Sequence, residues 1–373
     1  MRKWTMMLLL LLLLMLPTAA EENTYFEENL EQSGANALFD ALSPETQELY
    51  RTIGVYDLSD LQEVDLEEVT SHTAELLTAG LKKPLASAAV LLAATVLCAY
   101  LSGMRETVTE EGLGTVYSSV GVLAVSATVL LPFIACVRAV QKALSGAAVF
   151  MGSFSPVYIA VLAANGQLRA AASYQTVLLL FSQLMTWLTG SVLLPVLLAA
   201  VAMGTVSAVS DTGNLRKPGE MLLKAVTWTL GLAAGAFTTL LSVNSMLGAA
   251  SDTLGNKMIK LSLSSFVPVV GGAVSEAFLT VKSCVSLVKT TVGAFGMLTV
   301  LLLLLPAMIE CLCWLAGLWV CGMAAEAFSQ TTLAALIKTL HTGVKTMIAA
   351  MATAALFMIV ATALVTMAGG GGT

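Results

Sequence analysis

Of the 373 residues, 57% are hydrophobic and only 11% are charged, with a mean hydropathy of +0.86. Soluble domains carry about 25% charged residues, so this chain has too few to cover its apolar surface in water. An all-α protein solvated by lipid is the class that remains. Helices close their backbone hydrogen bonds internally, and the Leu- and Ala-rich runs lack the alternation of a membrane β-barrel.

At the N-terminus, Arg2 and Lys3 precede an apolar run from Met6 to Leu16, and Thr18-Ala19-Ala20 follow before the chain turns acidic at Glu21. This order of basic, apolar and small residues predicts a secretory signal over 1–20. Residues 21–80 are then an exported acidic segment, in which Arg51 is the only Lys or Arg. The acidic balance argues against nucleic acid as a partner. Leu38, Leu42, Leu49 and Ile53, then Leu61, Val64 and Val69, recur at helical spacing, and Ser43-Pro44-Glu45 reads as a helix start. Short helices that cap the membrane domain or meet a partner are expected here.

Residues 81–373 read as a multi-pass transmembrane domain, a polytopic helical bundle. Charge-free stretches at 84–104, 112–137, 143–168, 170–210, 225–251, 290–309, 311–325 and 346–373 mark the candidate spans. The stretch 170–210 is twice as long as one crossing needs and predicts two helices, broken around Gly190-Ser191 and restarted at Pro195. Pro84, Pro195 and Pro306 each open an apolar run at a spacing of about 111 residues, and Ser153-Phe154-Ser155-Pro156-Val157 matches Ser265-Phe266-Val267-Pro268-Val269. An internal repeat is therefore expected, with Pro156 and Pro268-Gly271-Gly272 as broken or re-entrant helix elements.

On a helix through 275–296, Ser275, Lys282, Ser286, Lys289, Gly293 and Gly296 form one stripe, and Glu276 extends that side. Ala277, Val281, Val285, Val288, Val292 and Phe295 fill the other side. Such an amphipathic helix lies at the headgroups, or turns its polar stripe to a hydrated channel, a partner or another copy of the chain. A second amphipathic piece spans 331–345, with Lys338, His341, Thr342 and Lys345 opposite Leu333, Leu336, Ile337, Leu340 and Val344. Glu310, between two apolar stretches, is the candidate intramembrane acid. Cys311 and Cys313 lie on different sides of their helix without a nearby His, and read as packing residues rather than a metal pair. No Walker A loop, GxSxG, HExxH, CxxC or GxGxxG occurs. The sequence thus offers no catalytic, cofactor-binding or metal-ligating constellation.

The stretch from Phe266-Val-Pro-Val-Val-Gly-Gly-Ala-Val-Ser-Glu276 through Lys289-Thr-Thr-Val-Gly293 resembles the stage III sporulation protein AE family. So does Ser155-Pro-Val-Tyr-Ile-Ala-Val-Leu-Ala-Ala-Asn-Gly166 with the small residues at 170–173. The resemblance covers nearly the whole chain. It implies a non-enzymatic subunit of a channel or secretion-like complex between mother cell and forespore, located in the mother-cell membrane around the forespore. The implied partners are the other stage III sporulation A-operon membrane proteins and a membrane protein of the forespore. The family supplies no catalytic residues. A stand-alone ion-coupled small-molecule transporter is the alternative, motivated by the repeat, the proline-broken elements and Glu310.

Overall fold

A computed structural model describes residues 36–40, 42, 44–52, 54–58, 60, 85–97, 100, 111–209, 216–266, 271–328 and 330–367. The expected signal, Pro84 and Pro268 lie outside the described residues. Among those described, the regular structure is entirely helical. The elements are α1 (Asn36–Asp40), α2 (Pro44–Thr52), α3 (Leu85–Leu97), α4 (Glu111–Ala164), α5 (Leu168–Trp187), α6 (Leu194–Val209), α7 (Arg216–Phe266), α8 (Gly271–Ala327) and α9 (Thr331–Met367). A π-helical segment, Leu188–Leu193, joins α5 to α6.

Among the described residues, four helices contain segments long and apolar enough to cross a membrane: Ser126–Ala164, Lys217–Leu240, Ser286–Ala327 and Leu333–Ala363. The chain is a multi-pass helical membrane protein. The first and third segments, of 39 and 42 residues, are about 60 Å long. That is about twice the hydrocarbon thickness of a bilayer.

These lengths correct the division of the spans at charges. Arg138 and Lys142 lie inside α4, joining 112–137 to 143–168, and Glu310 lies inside α8, joining 290–309 to 311–325. Arg, Lys and Glu are good helix formers, so one such residue interrupts hydropathy without interrupting the backbone. Pro156 sits within the continuous α4, as does Pro132, and Pro306 sits within α8. The first SFxPV element is therefore helical rather than re-entrant. Neighbouring helices can re-satisfy the carbonyl that a proline frees. Pro195 is the second residue of α6, so Pro195 and Pro306 do not share a place in their helices.

The expected break at Gly190-Ser191 is the π segment, which widens one turn without ending the helical path. α4 ends in a tight turn at Asn165-Gly166. Gln167 N donates to Leu162 O at 3.0 Å and Gly166 N to Ala163 O at 2.9 Å, with Gly166 at φ 72°. This is a Schellman cap, whose left-handed position favours glycine. The turn is the end of the second family-like stretch.

α8 packs along α9 and α4, α9 also along α7 and α6, and α5 bridges α4 and α7. Ala88 of α3 lies beside Gly317 of α8. The 331–345 piece of α9 is as amphipathic as its spacing predicts. Leu333, Leu336, Ile337, Leu340 and Val344 are buried, Lys338 and Lys345 are exposed, and His341 and Thr342 are half-buried.

Candidate functional site

The bundle interior near the middle of α8 holds a run of aromatic rings crossing five helices. Phe39 of α1 meets Tyr50 of α2 edge-on at 5.5 Å between centroids, and Tyr50 stacks on Phe295 of α8 at 5.4 Å. Phe295 meets Phe150 of α4 at 6.1 Å, Phe150 stacks on Phe154 at 5.6 Å, and Phe154 on Tyr158 at 5.2 Å. Tyr158 ends the run against Tyr174 of α5 at 5.3 Å. Offset and edge-on ring pairs of this kind add about 0.5–1.5 kcal/mol each beyond their buried area.

Each tyrosine of the run meets a threonine hydroxyl: Tyr50 with Thr299 at 2.7 Å, Tyr158 with Thr366 at 2.6 Å, and Tyr174 with Thr362 at 3.2 Å. Each threonine also donates to the carbonyl four residues back: Thr299 to Phe295 O, Thr366 to Thr362 O and Thr362 to Met358 O. With the threonine proton so used, the tyrosine is the donor and the threonine oxygen the acceptor. Burial pushes the Tyr50 phenol above its ordinary value, which keeps that proton in place. Tyr50→Phe should lower stability by about 1 kcal/mol, because Thr299 keeps its carbonyl partner. Denaturant titration of the purified chain, followed by circular dichroism, measures this.

Glycines let the helices approach here. A methyl group at Gly296 would enter the Phe154 ring, and one at Gly293 would lie 2.8 Å from Thr366 Oγ1. Small residues at such points allow close packing of membrane helices. Gly293, Gly296 and Lys289 belong to the expected polar stripe. Lys289 is only 2% exposed, and Val288, Val292 and Phe295 on the opposite side are also buried. Lys289 is thus packed between helices, whereas Thr290 and Ala294, one turn apart on the same helix, are half-buried. Ser286 is half-buried. Ser275, Glu276 and Lys282 lie on α8 with Gly271 and Gly272, and their side chains fall outside the described residues.

Glu310 is half-buried on α8. Cys311 is buried with its sulfur 3.6 Å from Cys136 of α4, while the half-buried Cys313 faces α3. The two cysteines therefore point to different helices. Ser155 of the SFxPV element is buried, and its Oγ has no hydrogen-bond partner among the described residues.

The run of rings escaped the sequence reading. Phe295 stood only as part of an apolar face. The available signal was Thr362 and Thr366, two hydroxyls one helical turn apart in an otherwise charge-free stretch.

No solved structure matches the chain. The stage III sporulation protein AE of Bacillus subtilis (strain 168) is similar to it, 22% identical over 206 residues. The match covers 55% of this chain and 52% of that relative, so it spans about half the length of each. The family model described as stage III sporulation protein AE matches residues 55–369, a range that runs from the end of the α2 region through all the bundle helices. On that match, the chain belongs to the stage III sporulation protein AE family and is a sporulation membrane protein.

Proposed function

We propose that the chain is a non-enzymatic, integral subunit of the channel or secretion-like complex joining mother cell and forespore, seated in the mother-cell membrane. The family match over 55–369 is the observation that carries this reading. The packing adds a physical role for the exported segment. α1 and α2 dock on the bundle through Phe39 and Tyr50, while Asp40, Glu48 and Tyr56 remain exposed on the outer side. The segment is then a fixed acidic platform for other stage III sporulation A-operon membrane proteins and for the forespore partner. The transporter reading loses one motivation, because Pro156 does not break its helix.

Co-purification of the tagged chain from sporulating cells tests the proposal. The full chain should bring down the other A-operon membrane proteins. A chain lacking 36–60, present at normal level in the membrane, should lose them. Retention of every partner by that variant, or isolation of the full chain alone, sinks the proposal.

A further inference from the structure

A groove of about 740 Å³ runs between α7 and α9, on the opposite side of α9 from its buried leucines. Lys224 and Lys345 line it together with Thr227, Thr342 and Thr346, and Trp228, Gly231, Leu232 and Ala349 complete it. Among the described residues, no carboxylate lines it.

The two lysines stand at equivalent points. Beyond Lys224 the chain is charge-free over 225–251, and beyond Lys345 it is charge-free over 346–373. α7 and α9 run side by side in the same direction, since Thr227 and Thr346 share the groove and Phe237 meets Phe357 at 6.0 Å further along. Both lysines therefore sit at one height, within the segments Lys217–Leu240 and Leu333–Ala363, where the charge-free part of each helix begins. Trp228, one turn beyond Lys224, is 72% exposed, and Leu232, a turn further, is 56% exposed. A basic pair followed by an outward Trp and then apolar surface is the profile of a headgroup boundary.

We propose that this groove is a binding site for an anionic phospholipid. Lys224 and Lys345 hold the headgroup phosphate, while the hydroxyls of Thr227, Thr342 and Thr346 donate to the carbonyls four residues back and leave the phosphate to the two ammonium groups. Trp228 lies along the glycerol region, and one acyl chain follows Gly231, Leu232 and Ala349. Two cations without a facing carboxylate select a net negative headgroup over a zwitterionic one. The lack of an Asp or Glu among the described lining residues also disfavours a basic peptide as occupant. The site is independent of any assembly role.

The test uses the full chain in phosphatidylcholine vesicles containing a small fraction of phosphatidylglycerol brominated on its acyl chains. Trp228 emission is taken as the difference between the native chain and Trp228→Phe. Brominated phosphatidylglycerol should quench Trp228 more than brominated phosphatidylcholine at equal mole fraction. Lys224→Gln and Lys345→Gln should each weaken that preference about fivefold. The double Gln variant should abolish it, while the paired Lys224→Arg, Lys345→Arg variant keeps it. Lys338→Gln, exposed on α9 outside the groove, should leave it unchanged. Equal quenching by the two lipids overturns the proposal, as does a preference that survives the double Gln variant. Relief of quenching by millimolar inorganic phosphate or by soluble polyglutamate overturns it too, since the groove would then read free phosphate or an acidic peptide.

Discussion

Phe295→Ala should destabilise the folded chain by about 3–5 kcal/mol, the range for removing a large aromatic from a packed core. Phe295 is fully buried and touches rings from three directions: Phe39, Tyr50 and Phe150. Its loss opens a cavity that α8 backbone cannot fill, and it removes the surface on which α1 and α2 rest. The effect should therefore be uneven. Unfolding of the bundle shifts by the stated amount, while α2 loosens first. Limited trypsin digestion reads this directly, because the exposed Arg51 lies in α2. Faster cleavage at Arg51, under conditions where the long helices stay intact, is the expected pattern. Unchanged cleavage together with unchanged stability would mean that the ring contacts do not hold the segment.

Gly296→Ala should cost about 1–3 kcal/mol by overpacking against Phe154. The sign is informative. Alanine gains about 1 kcal/mol over glycine in helix propensity, so a net loss isolates the steric clash. Phe154→Leu vacates the space that the new methyl group needs. The double variant should accordingly be more stable than the sum of the two single changes, and a double-mutant cycle in denaturant measures the coupling. Additive behaviour would show that α4 and α8 do not touch at this point.

Much of the fold was legible because hydropathy and helical period are local quantities. The class, the apolar character of the crossing segments and the interruption near Gly190 follow from runs of Leu and Ala and from a 41-residue stretch too long for one span. The amphipathic start of α9 was legible, since Leu333, Leu336, Ile337, Leu340 and Val344 face in while Lys338 and Lys345 face out. What the pattern could not give was continuity. Arg138, Lys142 and Glu310 look like ends of spans in sequence, yet helical hydrogen bonding runs through them. Prolines misled for the same reason, because a helix supported by neighbours tolerates a missing N–H.

The site was less legible than the fold. Lys289 reads as part of a polar stripe because amphipathicity records only chemical type along one helix, whereas its burial comes from packing. Whether a polar face meets water or another helix depends on partners distant in sequence, here Phe154, Tyr158 and Thr366, which lie against the glycines of the same stripe. The bond from Tyr50 to Thr299 joins residues 249 apart, and no local pattern announces such a pair.

The wide turn at Leu188–Leu193 has a consequence for the helical path it interrupts. Ala171, Tyr174 and Leu178 are buried before it, and Leu197, Ala200 and Val201 after it. Wound on one uninterrupted 3.6-residue spiral, these two sets would point about 100° apart, the rotation of a single amino acid. The turn takes up that surplus, so both halves address the same interior. It therefore works as a phase adjuster: an insertion or deletion of one position is absorbed there, whereas the same change inside α6 swings Leu197 and Ala200 away from the helices they seal.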